Sequence, residues 1–184
     1  MKKIIPVAIV ILLSTISCAQ NNVPTSPKGA PRIIGFQFVR NAEYGYNYVL
    51  PYNVQKELIG SSKDYNVFIY NSNDNTFQIR ILSEFSFNRE EKNENLENYY
   101  QKIQKGNHNE IQNSIILENK INFDDGTFIV KGKTNGKEFI WKTFVSEIPV
   151  SGELICNSMI FYYSKSRKNK FLGKTLIEKF GGRK

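Results

Sequence analysis

The chain has 184 residues, 40% hydrophobic and 13% aromatic, with a formal net charge of +8. That composition excludes a disordered polar chain, and about 165 residues beyond an N-terminal leader suffice for one domain with its own core. The charge is uneven: eight basic residues and one acid, Glu178, fall between Lys165 and Lys184, so the body before them is close to neutral. This basic end reads as a solvated tail and helix face, and an exported chain argues against nucleic acid as a partner.

The export signal comes first. Met1-Lys2-Lys3 is followed by the aliphatic run IIPVAIVILL, residues 4–13, and then by small and polar residues. That order is the pattern of a secretory signal peptide, and the run is about half the length that a membrane-spanning helix needs. Two cleavage readings compete. Cutting after Ala19 leaves a soluble protein that starts at Gln20. Cutting before Cys18 makes that cysteine a lipid-modified first residue. Thr15-Ile16-Ser17-Cys18 resembles the lipobox of bacterial lipoproteins, with Thr15 where Leu is usual. The stretch after it, NNVPTSPKGAP, carries Pro24, Pro27 and Pro31 and has no apolar periodicity, as expected of an extended tether. The expected organisation is a signal peptide over 1–17, a Pro-rich tether over 18–32 and a single domain over 33–184. Its address is the cell envelope, membrane-anchored through a lipid on Cys18; the alternative is a soluble periplasmic or secreted protein.

Within the domain, residues 33–40 and 46–50 are short aromatic and β-branched runs that read as strands, the second ended by Pro51. Residues 65–71 and 76–85 flank the turn-rich Asn71–Asn75 and read as a hairpin, with Phe77, Ile79 and Ile81 on one face. From Asn88 the pattern turns helical. Leu96, Tyr99, Tyr100 and Ile103 recur at i, i+3, i+4, i+7, with acids near the start and lysines near the end. Gly106 is the expected stop. Strands are predicted again over 111–119, 121–134, 137–148 and 153–164, with Asp125-Gly126 as a bulge or bend. Asn135-Gly136 is the strongest hairpin signal in the chain. Residues 171–180 close as a helix with Leu172, Leu176, Ile177 and Phe180 on one side, ended by Gly181-Gly182. The fold class is α+β: a central antiparallel β-sheet flanked by a central helix and a C-terminal helix.

Catalytic patterns are sparse. Gly126–Thr134 ends in Gly-Lys-Thr, but five residues separate its two glycines where a phosphate loop needs four, and the stretch is a strand. His108 is the one histidine, in a loop where such a side chain is ordinarily solvated. It has no G-x-S-x-G nucleophile to serve and no cysteine pair with which to hold zinc. Cys156 sits among apolar neighbours and reads as a buried, inert thiol. Glu90-Glu91 and Asp124-Asp125 read as helix-start charge and turn chemistry, the latter a conceivable loose calcium contact. The ten tyrosines suit strands and half-buried positions. Trp141, Tyr99 and Tyr100 are the rings that would line a ligand groove. No catalytic residue, metal site or cofactor is assigned.

The order of elements carries a resemblance. An early strand runs into YNYVLPYNVQKEL, a hairpin ends in QIRILSEF, a central helix holds ENYYQKI, and long strands with a GKEFIWKTF hairpin precede the closing GKTLIEKFGG. Over residues 33–182, with Leu50-Pro51-Tyr52, Tyr99-Tyr100, Gly136, Ile177 and Phe180, the chain resembles the PsbP-like α/β/α sandwich family. That family includes bacterial lipoproteins and photosystem-associated lumenal proteins. The resemblance implies a non-enzymatic domain with a central antiparallel sheet, used for binding a protein or small molecule or for assembly, and offers no catalytic residues. The alternative from the residues alone is a secreted hydrolase with dispersed carboxylates, which leave no local signature.

Overall fold

The structure is a computed structural model that describes residues 35–57 and 66–182. The expected signal peptide, the tether and Cys18 lie outside the described residues, which all belong to one compact unit. No helix among them is long and apolar enough to cross a membrane.

Strand β1 (Phe36–Asn41) pairs antiparallel with β2 (Tyr46–Pro51). Next come β3 (Val54–Glu57), β4 (Asn66–Ser72) and β5 (Phe77–Phe87), an antiparallel run that contains the expected hairpin. Helix α1 (Lys92–Gln104) follows a single 3₁₀ turn at Arg89–Glu91. Its apolar stripe of Leu96, Tyr99, Tyr100 and Ile103 is buried, as the spacing requires. Its end is a Schellman motif. The Gly106 N–H donates to the Ile103 carbonyl at 2.9 Å and the Asn107 N–H to the Lys102 carbonyl at 2.9 Å, with Gly106 at φ +68°.

Strands β6 (Ile115–Asn122), β7 (Thr127–Thr134), β8 (Lys137–Glu147) and β9 (Leu154–Tyr163) follow. The Asn135-Gly136 turn joins β7 to β8 with both residues at positive φ, 48° and 75°, the geometry that matches strand twist. Helix α2 (Arg167–Lys179) is capped by the Ser166 hydroxyl, which accepts from the Asn169 N–H at 3.0 Å. The chain ends its described course in β10 (Gly181–Gly182).

The seven-stranded sheet runs β3-β4-β5-β9-β8-β7-β6, and a second sheet of three strands runs β1-β2-β10. All pairings in both are antiparallel. β9 is buried over its whole length because it has a strand on either side and a cluster on either face. Ile160 and Tyr162 join Leu96 and Ile103 of α1 in one core cluster. Phe161 and Tyr163 join Leu172 and Leu176 of α2, together with Tyr46 and Leu50 of the small sheet, in the other.

Several expectations are corrected. Beyond the two expected hairpins, sheet order departs from chain order: β5 leads through α1 to β6 at the far edge, and β9 inserts between β5 and β8. Residues 111–114 are not strand, because a 3₁₀ turn at Asn109–Ile111 buries Ile111. Residues 123–126 are a turn, in which the Asn122 side chain accepts from the Asp124 and Asp125 N–H groups at 3.1 and 3.3 Å. The last helix starts at Arg167 rather than 171, and Phe180 lies beyond it in extended backbone. Gly181-Gly182 does more than stop a helix: it pairs with Asn47 and Tyr46.

Candidate functional site

The residue types that looked chemical in the sequence meet under α1, where they are closed off. Trp141 is fully buried, and Tyr99 and Tyr100 are buried beside it. Ring centroids lie 6.4 Å apart for Tyr99 and Trp141, 5.7 Å for Tyr99 and Phe128, and 5.4 Å for Tyr100 and Phe128. The rings come together as core, because the i, i+3, i+4 stripe of α1 presses both tyrosines onto β7 and β8. They form the floor beneath a helix and are not among the residues that wall the groove described below.

A polar chain runs through that core. The Glu84 carboxylate accepts from the Tyr99 hydroxyl at 2.6 Å and from His108 Nε2 at 3.2 Å. His108 Nδ1 accepts from the Glu110 N–H at 3.2 Å, which leaves Nε2 to carry the proton donated to Glu84. Tyr99 also meets the Ser158 hydroxyl at 3.3 Å, Ser158 meets Thr143 at 2.7 Å, and the Trp141 indole N–H donates to Thr143 at 2.9 Å. His108 is therefore no solvated loop residue: it is only 4% exposed, edge-on to Trp141 at 4.8 Å. Burial opposes charge on Glu84, but the bonds from His108 and Tyr99 and the nearby Lys102 outweigh it and hold its carboxyl below the usual value. Burial, then the facing carboxylate, drives the Tyr99 phenol well up. Cys156 is buried and free, its thiol pushed up to about 12 by burial, which makes it a poor nucleophile.

Open space lies on the other face. α2 packs over β8, β9 and the small sheet but stops short of the sheet edge. Between α2 and the outer strands β6 and β7 runs a groove of about 680 Å³. Ile129, Ile140 and Ile177 supply apolar lining, and Leu117 and Phe171 come from its two sides. Leu117 sits at the β-bulge between Ile116 and Glu118, where the register with β7 shifts. Opposite the bulge, Gly132 pairs with Ile116. A Cβ there would stand 2.5 Å from the Ile115 carbonyl oxygen and 2.7 Å from the Phe139 ring, so only glycine fits.

Charge is set around this lining. Glu118 is held by Lys131, its cross-strand partner, at 2.7 Å, and Glu178 by Lys174 at 3.9 Å. Glu138 stands opposite Tyr163 across the β8–β9 pairing, and that phenol is pushed up to about 12 by burial first and by the carboxylate second. Lys120, Arg167 and Lys170 also line the groove, and none of them makes an ion pair among the described residues. On α2 the residues 167, 170, 171 and 174 form one stripe at i, i+3, i+4, i+7, which turns cations and Phe171 toward the same space. Sequence reasoning saw this helix's buried side but not its groove side, because the stripe acquires meaning only from the strands opposite.

No family model matches the chain, and no curated protein matches it. Solved structures do. The solution structure of cyanobacterial PsbP (CyanoP) from Synechocystis sp. PCC 6803 is similar, with a TM-score of 0.56 at 12% identity, covering 87% of this chain and 99% of that one. The Ran-binding protein Mog1p of Saccharomyces cerevisiae aligns with a TM-score of 0.47 at 8% identity, over 82% of this chain and 96% of that one. The first of these likenesses, on the element order and sheet described above, shows that the chain has a PsbP-like fold.

Proposed function

We propose that this is an exported envelope protein, lipid-anchored on Cys18, whose domain is a non-catalytic binding or assembly module that works through the groove between α2 and the β6–β7 edge. The groove carries the reading: in it apolar lining meets cations that make no ion pair among the described residues, at a size ordinary for ligand sites, roughly 300–1,000 Å³. Its three carboxylates, Glu118, Glu138 and Glu178, are each engaged by a different neighbour, which favours binding over a hydrolase built on facing acids. The aliphatic run 4–13, Thr15-Ile16-Ser17-Cys18 and the Pro-rich stretch support export and tethering. Acyl chains on Cys18 would hold the membrane at about 0.8 kcal/mol per buried methylene.

Two measurements test this. Intact mass of the mature protein from a bacterial membrane fraction should show acylation on Cys18 that Cys18→Ala abolishes; a soluble species beginning at Gln20 overturns the anchor. Hydrogen exchange of the full chain, with and without envelope extract, should show protection in β6, β7 and α2. Protection confined to other elements, or none, overturns the groove as the binding surface.

A further inference from the structure

Leu117 is 59% exposed and Phe171 73%, facing one groove from its two sides. Two large apolar side chains left in water, with Arg167 and Lys170 making no ion pair among the described residues, describe the complement of the groove's occupant: apolar over part of its length and anionic at one end. The groove has the volume of a small-molecule site. An added peptide strand is disfavoured. The β6 edge carries a bulge at Ile116/Glu118 and the charged Glu118 and Lys120, the devices by which sheet edges resist pairing. The apolar lining lies off the backbone edge, where a strand's main chain would gain no partners.

Resting on the binding role of the groove, we infer that its occupant is a monomeric anionic amphiphile. A single alkyl or acyl chain lies between Leu117 and Phe171, and its acidic head meets Arg167 and Lys170. Lys131 and Lys174 face their own acids, so the head is drawn to the start of α2, where two of the three groove cations without an ion pair among the described residues lie one turn apart.

Calorimetric titration of the full chain tests this with dodecyl phosphate below its aggregation concentration, dodecyl maltoside with the same chain and no charge, and inorganic phosphate alone. Dodecyl phosphate should bind one per chain, at least about ten-fold tighter than either control, as expected of charge-assisted contacts added to chain burial. Arg167→Gln with Lys170→Gln should weaken dodecyl phosphate by about ten-fold or more and leave the maltoside unchanged. Phe171→Ser should weaken both amphiphiles. All three positions are exposed, so the variants retain the fold, which a thermal melt verifies. Equal affinity for the phosphate and maltoside amphiphiles overturns the inference in favour of a merely apolar surface. Binding of inorganic phosphate alone with the same strength overturns it in favour of an anion site. Binding only to phosphatidylglycerol vesicles overturns it in favour of a membrane-facing surface. Failure of every probe, with groove protection by envelope extract intact, removes the amphiphile and leaves the binding role standing.

Discussion

Glu84 decides the character of the core beneath α1. It sits just before the bulge at Glu84/Ser86, where Phe85 takes φ +56°, a left-handed conformation unusual for a bulky residue. The bulge is accompanied by a carboxylate turned inward to Tyr99 and His108. Its folded value lies below the ordinary 4.5, so its stabilisation is fully present above 4.5 and is lost as pH falls through the folded value. Glu84→Gln should therefore flatten the acid side of the stability–pH curve, measured by urea unfolding between pH 3 and 7. At pH 7 it should cost about 1–3 kcal/mol, because the Tyr99 and His108 donors lose their charged acceptor. An acid limb unchanged from wild type would contradict this assignment.

Lys142 shows how one side chain serves an element. From β8 its Nζ donates to the carbonyls of Ile177 at 3.1 Å and Phe180 at 2.6 Å, closing the C-terminal end of α2 where the helix dipole favours a cation. Lys142→Met should keep the packing of the stem and lose the cap, lowering stability by about 1 kcal/mol in chemical denaturation. The seating of α2 on the sheet is steric. A Cβ at Gly173 would lie 2.5 Å from the Phe161 ring, so Gly173→Ala should cost about 1–3 kcal/mol despite alanine's better helix propensity. A stabilised variant would mean that α2 can move off the sheet.

The two sheets are joined by the last described residues of the chain. Phe180 is buried edge-on to Tyr46 at 5.8 Å and to Phe144 at 4.9 Å, and Gly181-Gly182 then pairs with β2. Phe180→Ala should cost about 3–5 kcal/mol by thermal or chemical unfolding, as for other large-to-small changes in a packed core. Long-range pairing dominates the topology: β9 pairs with β5 across α1 and three strands, and β10 returns to β2. Refolding is therefore expected on the roughly millisecond-to-second range of sheet-rich domains. The single, fully buried Trp141 is the fluorescence probe for it. A microsecond phase that recovers the whole signal would show that the central pairing is not limiting.

What could be read without coordinates was local. The 3.6-residue stripe of Leu96, Tyr99, Tyr100 and Ile103 marked α1, the alternation at Phe77, Ile79 and Ile81 marked β5, and Asn135-Gly136 marked the β7–β8 turn. Each of these is set by backbone geometry and by which side chains must leave water, and neighbouring residues carry the information. The insertion of β9 between β5 and β8, and the small β1-β2-β10 sheet, depend on pairings between distant segments that leave no local periodicity. For the same reason the α+β class was legible while the groove was not. Trp141, Tyr99 and Tyr100 looked like a binding surface because aromatic character is visible in sequence, and burial under α1 is not. Leu117 fell within an expected strand, and Arg167, Lys170 and Phe171 within a basic end read as a solvated tail and helix face. Only the tertiary structure, by ending α2's cover short of β6 and β7, set those four side chains around one space.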